Sequence, residues 1–368
     1  MQIQFSEGNL NVPANATIGY IDGEGIGPEI TEAMIDVINS SLELAYSGER
    51  SIEWNRIIVG SSAFEKYGTY MPEESIEQIR KLAIVMKSTL NIIPDKSDLN
   101  MLLRRRLGLY ANVRIIKHLP GIGMASNIFD KLNITIFRDS INTSHIFYHS
   151  TDSTDDLIKF LSENYDIKIA PDSGIFMVSQ SKFRTKKLVR LAINYYKRSN
   201  SKKITVVDNP SSPEFAQWCR EEIDRCDAVD HEYIGINSFL KRLANTPESF
   251  DIVILDNIID KIIIDYMVSA INIEYGASIG DECALFEAVQ NSMPSSEGYD
   301  TADPLSFILS GSLMLRYIGW NEAAEIIDNA IVQAFLNGQI PRGIAGRSDI
   351  KPVKCSEFSD ALIKRMKA

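Results

Sequence analysis

Apolar, β-rich runs alternate with helical patterns along most of the chain, and this alternation restricts the possible folds more than any other feature. ATIGYI (16–21) predicts a strand that leads into a helix at PEITEAMIDVINS (28–40). Further along, ITVVD (204–208) and FDIVIL (250–255) predict buried strands on either side of a helix at PEFAQWCREEID (213–224). Strands separated by helices form βαβ units, in which the strands are parallel. We therefore predict an α/β fold with a mixed, largely parallel sheet.

The remaining elements follow from the same periodicities. Strands are predicted at RIIVG (56–60), AIVMKS (83–88) and ITIFRDS (134–140), and helices at 185–199, 304–319 and 321–336. The polar stretch SHIFYHSTDSTDD (144–156) interrupts this pattern and predicts a surface arm or loop.

Charge and apolar content exclude several classes of protein. The formal net charge of -11 is unfavourable for binding nucleic acid, because phosphate contacts need a basic surface. No apolar run approaches the length of a membrane span, and the first residues do not resemble a signal peptide. We predict a cytoplasmic protein, or one of the mitochondrial matrix if a precursor is processed. The four cysteines form no CxxC pair and are predicted to be free thiols.

Two motifs carry residues suited to a binding cleft. IDGEGIGPEI (21–30) places three glycines between a strand and a helix, which permits a tight turn close to a ligand. In DLNMLLRRRLGLYANVR (98–114), Asn100 and Arg104 are one helical turn apart and face the same side. Arginines at the ends of elements around one cleft are suited to bidentate binding of carboxylates.

Taken together, these segments resemble the β-decarboxylating dehydrogenases, which comprise the isocitrate and 3-isopropylmalate dehydrogenases. The motifs DGEGIGPE, LNMLLRRRLGLYANVR, FRDS, TPESFDIVILDN and ALFEAVQNSMPSSEGYDTADP occur in the order of that family, between about Ile18 and Trp320. The resemblance implies the two-domain isocitrate/isopropylmalate dehydrogenase-like fold. It also implies a reaction in which a 2-hydroxy acid is oxidised and the resulting keto acid is decarboxylated.

The resemblance also implies how the chain is divided. Residues 1–109 and 273–368 would form a large, cofactor-type domain. Residues 110–272 would form a small domain that carries the dimer interface and an arm near 144–183. The expected assembly is a homodimer, or a heteromer with an active homologue.

The residues that bind substrate carboxylates in the family correspond here to Arg104, Arg114 and Arg138, together with Asn100. All four residue types are retained, so a di- or tricarboxylate is the expected ligand. The family's serine that is specific for isocitrate corresponds to Asp98. A negative charge there would repel the extra carboxylate of isocitrate, which argues against isocitrate as the substrate.

The family's residues for proton transfer and metal binding are replaced. Its tyrosine corresponds to His145 and its lysine to Asn209, while its three metal-binding aspartates correspond to Asn237, Lys261 and Asp265. In the family, the lysine and one of these aspartates come from the partner subunit, so Asn209 and Asn237 are predicted to bind substrate at a subunit interface. The formal charge of the three metal positions changes from about -3 to about 0, which weakens their attraction for Mg²⁺ or Mn²⁺. We therefore predict that no divalent metal binds.

Two hypotheses explain Lys261. Its ammonium group could replace the charge of the metal, held by Asp265 one helical turn later, or the site has decayed and Lys261 forms a surface or interface ion pair. His145 is either a general acid–base group or a hydrogen-bonded structural residue. A zinc site with His149 is disfavoured because the intervening IFY favours a strand.

The family's adenosine-binding loop corresponds to VQNSMPSSEGYDTADP (289–304). No basic pair suited to a 2′-phosphate lies nearby, so NAD is predicted rather than NADP. The predicted cofactor-binding residues are Lys87, Glu287, Gln290, Asn291 and Asp303.

These replacements favour a pseudoenzyme or regulatory subunit, which binds a di- or tricarboxylate without metal-dependent oxidative decarboxylation. A second hypothesis is a metal-independent, NAD-dependent dehydrogenase or decarboxylase of a substituted malate-like acid, acting through His145, Lys261 and Asp265. The third is a structural subunit with an empty pocket.

Overall fold

The structure is a computed structural model that describes the chain except for residues 7–8, 92–97, 122–128, 141–145, 149–151, 172, 227, 272, 291, 346–350 and 368. His145, His149 and Asn291 lie outside the described residues. The strands are β1 (Gln4–Ser6), β2 (Asn9–Asn11), β3 (Asn15–Ile21), β4 (Ser51–Arg56), β5 (Ile84–Lys87), β6 (Ala111–Lys117), β7 (Asn133–Asp139), β8 (Ile146–Tyr148), β9 (Ile175–Met177), β10 (Ile204–Asp208), β11 (His231–Gly235), β12 (Ile252–Leu255), β13 (Tyr275–Ile279) and β14 (Ala284–Glu287). The helices are α1 (Gly27–Tyr46), α2 (Ser61–Tyr67), α3 (Glu73–Leu82), α4 (Leu99–Leu107), α5 (Asp152–Tyr165), α6 (Lys182–Arg198), α7 (Pro213–Ile223), α8 (Ile236–Asn245), α9 (Asp260–Ile271), α10 (Leu305–Tyr317), α11 (Asn321–Leu336), α12 (Arg342–Ala345) and α13 (Cys355–Met366).

A ten-stranded sheet forms the centre of the fold, in the order β11-β10-β12-β7-β6-β13-β14-β5-β3-β4. The three central pairings, β7 with β6, β6 with β13 and β13 with β14, are antiparallel. All other neighbouring strands in this sheet are parallel. The predicted α/β class and the mixed, largely parallel sheet are confirmed.

Helix α1 shows how sequence pattern produces packing. Pro28 lies in its first turn, where the absent N–H removes no helical hydrogen bond. Ile30, Met34 and Ile38 recur at helical spacing and are fully buried, and α1 contacts α10, α11 and α13. The helix ends at Ser47, which adopts the left-handed conformation.

The strand predicted at 56–60 is wrong. The strand in this region is β4, which ends at Arg56, and Ile57 donates one further backbone hydrogen bond to Tyr20. Gly60 then adopts a φ of 85°, which turns the chain into α2. Ile57 and Val59 of RIIVG therefore fill the core from an irregular segment instead of a strand.

The predicted arm contains regular structure. Strands β8 and β9 form a two-stranded antiparallel ribbon, which confirms the strand predicted through IFY. The following residues form helix α5 and not a loop. In the described part of the chain, no helix is both long enough and apolar enough to cross a membrane. The cysteines are free thiols, as predicted.

Candidate active site

A polar network crosses the three antiparallel strands at the centre of the sheet. The register pairs Asn112 with both Arg138 and Ser278, so the three side chains lie on one face. Arg138 Nε donates to Asn112 Oδ1 at 2.9 Å, and Asn112 Nδ2 donates to Ser278 Oγ at 3.0 Å. Arg104 of α4 completes the network by donating from Nε to Ser278 Oγ at 3.1 Å. Two of the predicted carboxylate-binding arginines are thus linked through β6 and β13.

Arg114 lies on the same face and is buried. Its neighbour across the strands is Gly276. A Cβ atom at Gly276 would lie 2.1 Å from the Val113 carbonyl oxygen and 3.0 Å from Arg114 Nη1. The glycine therefore leaves the space in which the guanidinium group lies against the sheet.

Each of the three arginines is paired with an internal carboxylate. Arg104 and Arg114 share Glu287 Oε2, at 2.8 and 3.2 Å. Arg114 Nε also contacts Glu274 at 3.1 Å, and a separate pair joins Arg138 to Asp260 at 2.8 Å. The arginine cluster, defined as Arg104, Arg114 and Arg138, is therefore nearly neutralised within the chain.

Two buried atoms, one in the arginine cluster and one in its partner Glu287, have no hydrogen-bond partner among the described residues. They are the donor Arg114 Nη1 and the acceptor Glu287 Oε1. A buried polar atom without a partner costs roughly 1–3 kcal/mol, more for charged groups. An incoming molecule with a carboxylate and a hydroxyl would supply an acceptor for the first atom and a donor for the second.

Burial and neighbouring charges shift the pKa values of the two glutamates in opposite directions. Burial alone would raise the pKa of Glu287, but Arg104, Lys87 and Arg114 outweigh it and hold that pKa well below its usual range. For Glu274, burial raises the pKa more than the neighbouring arginines lower it. Glu287 consequently stays ionised beside the arginine cluster, and Glu274 accepts a proton more readily.

Lys87, at the end of β5, is 3% exposed and lies beside this cluster. Its Nζ donates to Asn100 Oδ1 at 2.8 Å and to the Ser88 carbonyl at 3.1 Å. Burial, reinforced by Arg104 and Arg114, lowers the pKa of Lys87 to about 8 in spite of Glu287. The side chain is therefore a cation at neutral pH that can release a proton close to the physiological range.

The structure brings together six of the predicted site residues: Lys87, Asn100, Arg104, Arg114, Arg138 and Glu287. Asn209 instead donates to Asp256 at 2.9 Å and supports the turn after β10. Lys261, Asp265 and Asn237 are exposed, and no ion pair joins Lys261 to Asp265 within the described residues. Their roles, and that of His145, remain predictions.

The described carboxylates of one chain do not form a closed metal site at the family's position. Asp260 accepts from Arg138 and from the backbone N–H of Lys261, and Lys261 itself carries the wrong charge for a ligand. In the part of the chain that the structure describes, the acid and thiol groups close enough to share an ion are Glu29, Asp300 and Cys355. These lie elsewhere, so the residues of one chain at the arginine cluster support no catalytic step through a metal.

Sequence reasoning missed four residues of the network: Asn112, Ser278, Asp260 and Glu274. The alternation of side chains along β6 would have indicated Asn112, because Arg114 is two residues further on the same face. No comparable local signal identifies Asp260 or Glu274, since each meets its arginine only through tertiary contacts.

The predicted adenosine loop packs on the glycine-rich turn before α1. Gly25 has a φ of +61°, and a Cβ atom there would lie 2.1 Å from the Ser292 carbonyl oxygen. The same carbonyl accepts from the N–H of Ile26 at 2.8 Å. The turn and the loop are thus joined backbone to backbone, which explains the glycine at this position.

The far end of this loop is held by Gln290 and Asp303. Gln290 Nε2 donates to the Asp303 carbonyl oxygen at 2.9 Å. Burial raises the pKa of Asp303 to about 6, partly offset by the backbone N–H groups of Leu305 and Gly343. These two residues, which are predicted to bind the cofactor, therefore stabilise the conformation of the loop.

Comparison with known proteins decides the family. The model of the isocitrate/isopropylmalate dehydrogenase family matches residues 17–362. The chain belongs to this family. A relative from Streptococcus salivarius, named isocitrate dehydrogenase [NADP], is 31% identical over 91% of this chain and 92% of its own. The protein of the same name from Archaeoglobus fulgidus is 28% identical over 100% of this chain and 97% of its own.

Two solved structures have the same fold as this chain. The crystal structure of isocitrate dehydrogenase from Methylococcus capsulatus has a TM-score of 0.79 at 24% identity, covering 96% of this chain and 100% of that one. A protein from Thermus thermophilus has a TM-score of 0.80 at 23% identity, covering 100% of this chain and 72% of that one.

These relatives overturn three predictions. The pseudoenzyme or regulatory subunit and the structural subunit are wrong, because full-length relatives carry the name of an oxidoreductase, which agrees with the oxidoreductase part of the second hypothesis. The prediction of NAD is wrong because those names specify NADP. The prediction that no divalent metal ion binds is also wrong, since membership of the family implies Mg²⁺ or Mn²⁺. A heteromer with an active homologue has no support.

Proposed function

We propose that this family member is an NADP-dependent isocitrate dehydrogenase, which oxidises the 2-hydroxyl of isocitrate and decarboxylates the resulting keto acid. The observation that carries the proposal is the arginine cluster with the unpartnered donor Arg114 Nη1 at its centre. Arginine binds carboxylates bidentately, and three arginines match the three carboxylates of isocitrate. The full-length NADP isocitrate dehydrogenase relatives support the same substrate.

Asp98 is compatible with isocitrate in this structure. Its side chain caps α4 by accepting from the backbone N–H of Asn100 at 2.8 Å and from Asn100 Nδ2 at 3.1 Å. A carboxylate at a helix N-terminus is stabilised by the helix dipole and by these donors. Its repulsion of a substrate carboxylate is thereby reduced.

Binding in this site is an exchange of carboxylates. Substrate carboxylates would take the guanidinium donors that Glu287, Glu274 and Asp260 hold in its absence. The internal acids keep the arginines ordered, but they also compete with the substrate. Lys87, protonated at Nζ, adds a cation that no internal acid contacts directly within the described residues.

NADP requires a cation for its 2′-phosphate, and Arg342 is our candidate. It is exposed at the start of α12, and the next residue, Gly343, donates its N–H to the Asp303 carboxylate at the end of the adenosine loop. The Arg342→Ala variant should raise KM for NADP several-fold and leave KM for isocitrate unchanged. Lys197→Ala, which removes an exposed cation from α6, is the matched control.

We also propose a homodimer and the two-domain division 1–109 with 273–368 against 110–272. Helix α9 exposes Ile262 (76%) and Tyr266 (46%), which are one turn apart on one face. Exposed apolar residues at helical spacing favour a protein interface. Sedimentation should therefore give twice the mass of the chain, and Ile262→Lys should shift it towards the monomer.

The direct test follows NADPH absorbance after the full chain is mixed with NADP, Mn²⁺ and isocitrate. Isopropylmalate and malate serve as competing substrates, and NAD as the competing cofactor. Turnover with isocitrate and NADP, well above every other combination, is the expected result. Absence of turnover with isocitrate, or a clear preference for isopropylmalate, would refute the proposal.

The Asp260→Asn variant should bind isocitrate about three- to tenfold more tightly, because it removes the negative charge that competes for Arg138. Asparagine retains the capping contact to the N–H of Lys261, so α9 should be preserved. Calorimetric titration measures the affinity. Glu325→Gln, on the exposed face of α11, controls for the change in net charge; equal affinities in all three proteins would contradict the competition.

Isocitrate affinity should depend on pH through Lys87. The pKa of about 8 means that its cation is present below this pH and is lost above it, so affinity falls as pH rises. The loss should approach about tenfold between about pH 7 and about pH 9, the limit for one titrating group. In Lys87→Met the affinity should be lower and nearly constant over this range. A wild-type profile that is flat would be the opposing result.

A further inference from the structure

A cavity lies on the face of the sheet opposite the arginine cluster. It has a volume of about 580 Å³ and is bordered by α6 on one side and α10 on the other. Val113, Phe137 and Ala277 line it, and the next residue of each strand is Arg114, Arg138 or Ser278, which faces the arginine cluster. This back cavity is therefore separated from the candidate active site by the thickness of the sheet.

Tyrosines form much of its wall. Tyr195 packs edge-on against Phe137 at 5.5 Å between ring centroids, and Tyr317 packs against Phe286 at 5.4 Å. Burial raises the pKa of both Tyr275 and Tyr317, so their hydroxyls stay protonated at neutral pH. Among the described residues, neither of these two hydroxyls has a hydrogen-bond partner. The wall thus combines aromatic surface with free donors.

The charge of the cavity is opposite to that of the chain. Among the residues that the structure describes, its lining contains the cations Lys117, Arg198 and Arg316 and one acid, Asp328, a formal sum of +2 from three positive charges and one negative. Arg316 and Asp328 are paired at 2.7 Å. Within the described residues, Lys117 and Arg198 have no acidic partner. These two cations without an acidic partner give the cavity a positive potential that attracts anions, although the chain as a whole carries a net charge of -11.

From this combination we infer that the back cavity binds a small organic anion with a planar aromatic body. The rings would lie against Tyr195, Tyr275 and Tyr317, and the acidic group would contact Lys117 and Arg198. Such a ligand would occupy a site distinct from both the arginine cluster and the adenosine loop.

Anilinonaphthalene sulfonate is a suitable probe, because it has a planar aromatic body and one strong acid and fluoresces in apolar surroundings. Titration of the full-length native protein should give saturable binding of one molecule per chain. Arg198→Gln and Lys117→Gln should each weaken it by about three- to tenfold. Lys197→Gln, the neighbouring exposed cation on α6 that does not line the cavity, should leave it unchanged.

Competition separates this site from the others. Saturating isocitrate and NADP should not displace the probe stoichiometrically, and circular dichroism should show each variant folded. Displacement by NADP, non-saturable binding, or equal affinity in Arg198→Gln, Lys117→Gln and wild type would each overturn the inference. None of these measurements requires turnover, so the result is independent of the proposed activity.

Discussion

Replacing Arg114 with methionine should lower the free energy of unfolding by about 3 kcal/mol and abolish detectable isocitrate binding. Arg114 is the buried cation between Glu274 and Glu287, at 3.1 and 3.2 Å. Removing one partner of a buried ion pair typically costs roughly 3–5 kcal/mol, because the remaining charge is left unpaired. Because Arg104 still contacts Glu287 at 2.8 Å, we expect the loss of stability to lie at the lower end of this range. Urea denaturation measures the stability, and thermal shift with isocitrate measures binding.

The pH dependence of this loss provides a second test. Burial raises the pKa of Glu274, and without Arg114 that pKa should rise further. A carboxyl group whose pKa is raised in the folded state contributes its full stability below its unfolded pKa and loses that contribution as pH rises through the folded pKa. The destabilisation should therefore be smaller in mildly acidic buffer than at alkaline pH, and Glu274→Gln should partly rescue it.

The control is Arg80→Met, which removes a pair with Glu282 whose side chains are 42% and 72% exposed. Exposed pairs contribute roughly 0–1 kcal/mol, so the change should be small. If both variants lost the same free energy, the buried pairing of Arg114 would not be the cause.

The second large effect is expected for Gly25→Ala, which should raise KM for NADP more than about tenfold. The new Cβ atom would lie 2.1 Å from the Ser292 carbonyl oxygen, a backbone atom that cannot rotate away. The adenosine loop would have to move, and the hydrogen bond from Ile26 to that carbonyl would be lost. Isocitrate binding, measured by calorimetry without cofactor, should be retained because no described hydrogen bond or ion pair joins the arginine cluster to this turn.

Gly48→Ala is the matched control. Gly48 has a φ of +85°, so alanine is strained there as well, but nothing lies within 4 Å of its added Cβ atom. The difference between the two variants therefore measures the contact with the loop separately from backbone strain. Similar KM values for NADP in both would show that the close approach of Gly25 to Ser292 is unimportant for cofactor binding.

Motifs identified the three arginines and Glu287, but Asp260 and Glu274, the other two acids of the site, could not be read from them. Arg104, Arg114 and Arg138 occur in ordered motifs, and the structure places them together. The prediction of a metal-free site came from summing charges over three corresponding positions. That sum covered positions of one chain only, and it left out Asp260 and Glu274, whose charges are offset by Arg138 and Arg114. Local charge at a site depends on every segment that reaches it, so a count over one motif was insufficient.

Local pattern was sufficient for most elements and failed where one backbone angle decided. The strand β3 and the helix α1 follow from their periodicities, as do β10 and β12. The apolar run 56–60 is not a strand, because β4 ends at Arg56 and Gly60 turns the chain at a φ of 85°, which periodicity does not indicate. An apolar run can fill a core from an irregular segment as readily as from a strand.

The amino-acid sequence alone determined the α/β class, the family and the three arginines, because periodicity and ordered motifs are local properties of the chain. Only the tertiary structure decided that Glu287 lies between Arg104 and Arg114, which precede it by 183 and 173 positions. It also decided that a tyrosine-lined, positively charged cavity occupies the other face of the same strands. Both results arise from the pairing of strands that are distant in the chain, since sheet register places such side chains together or on opposite faces.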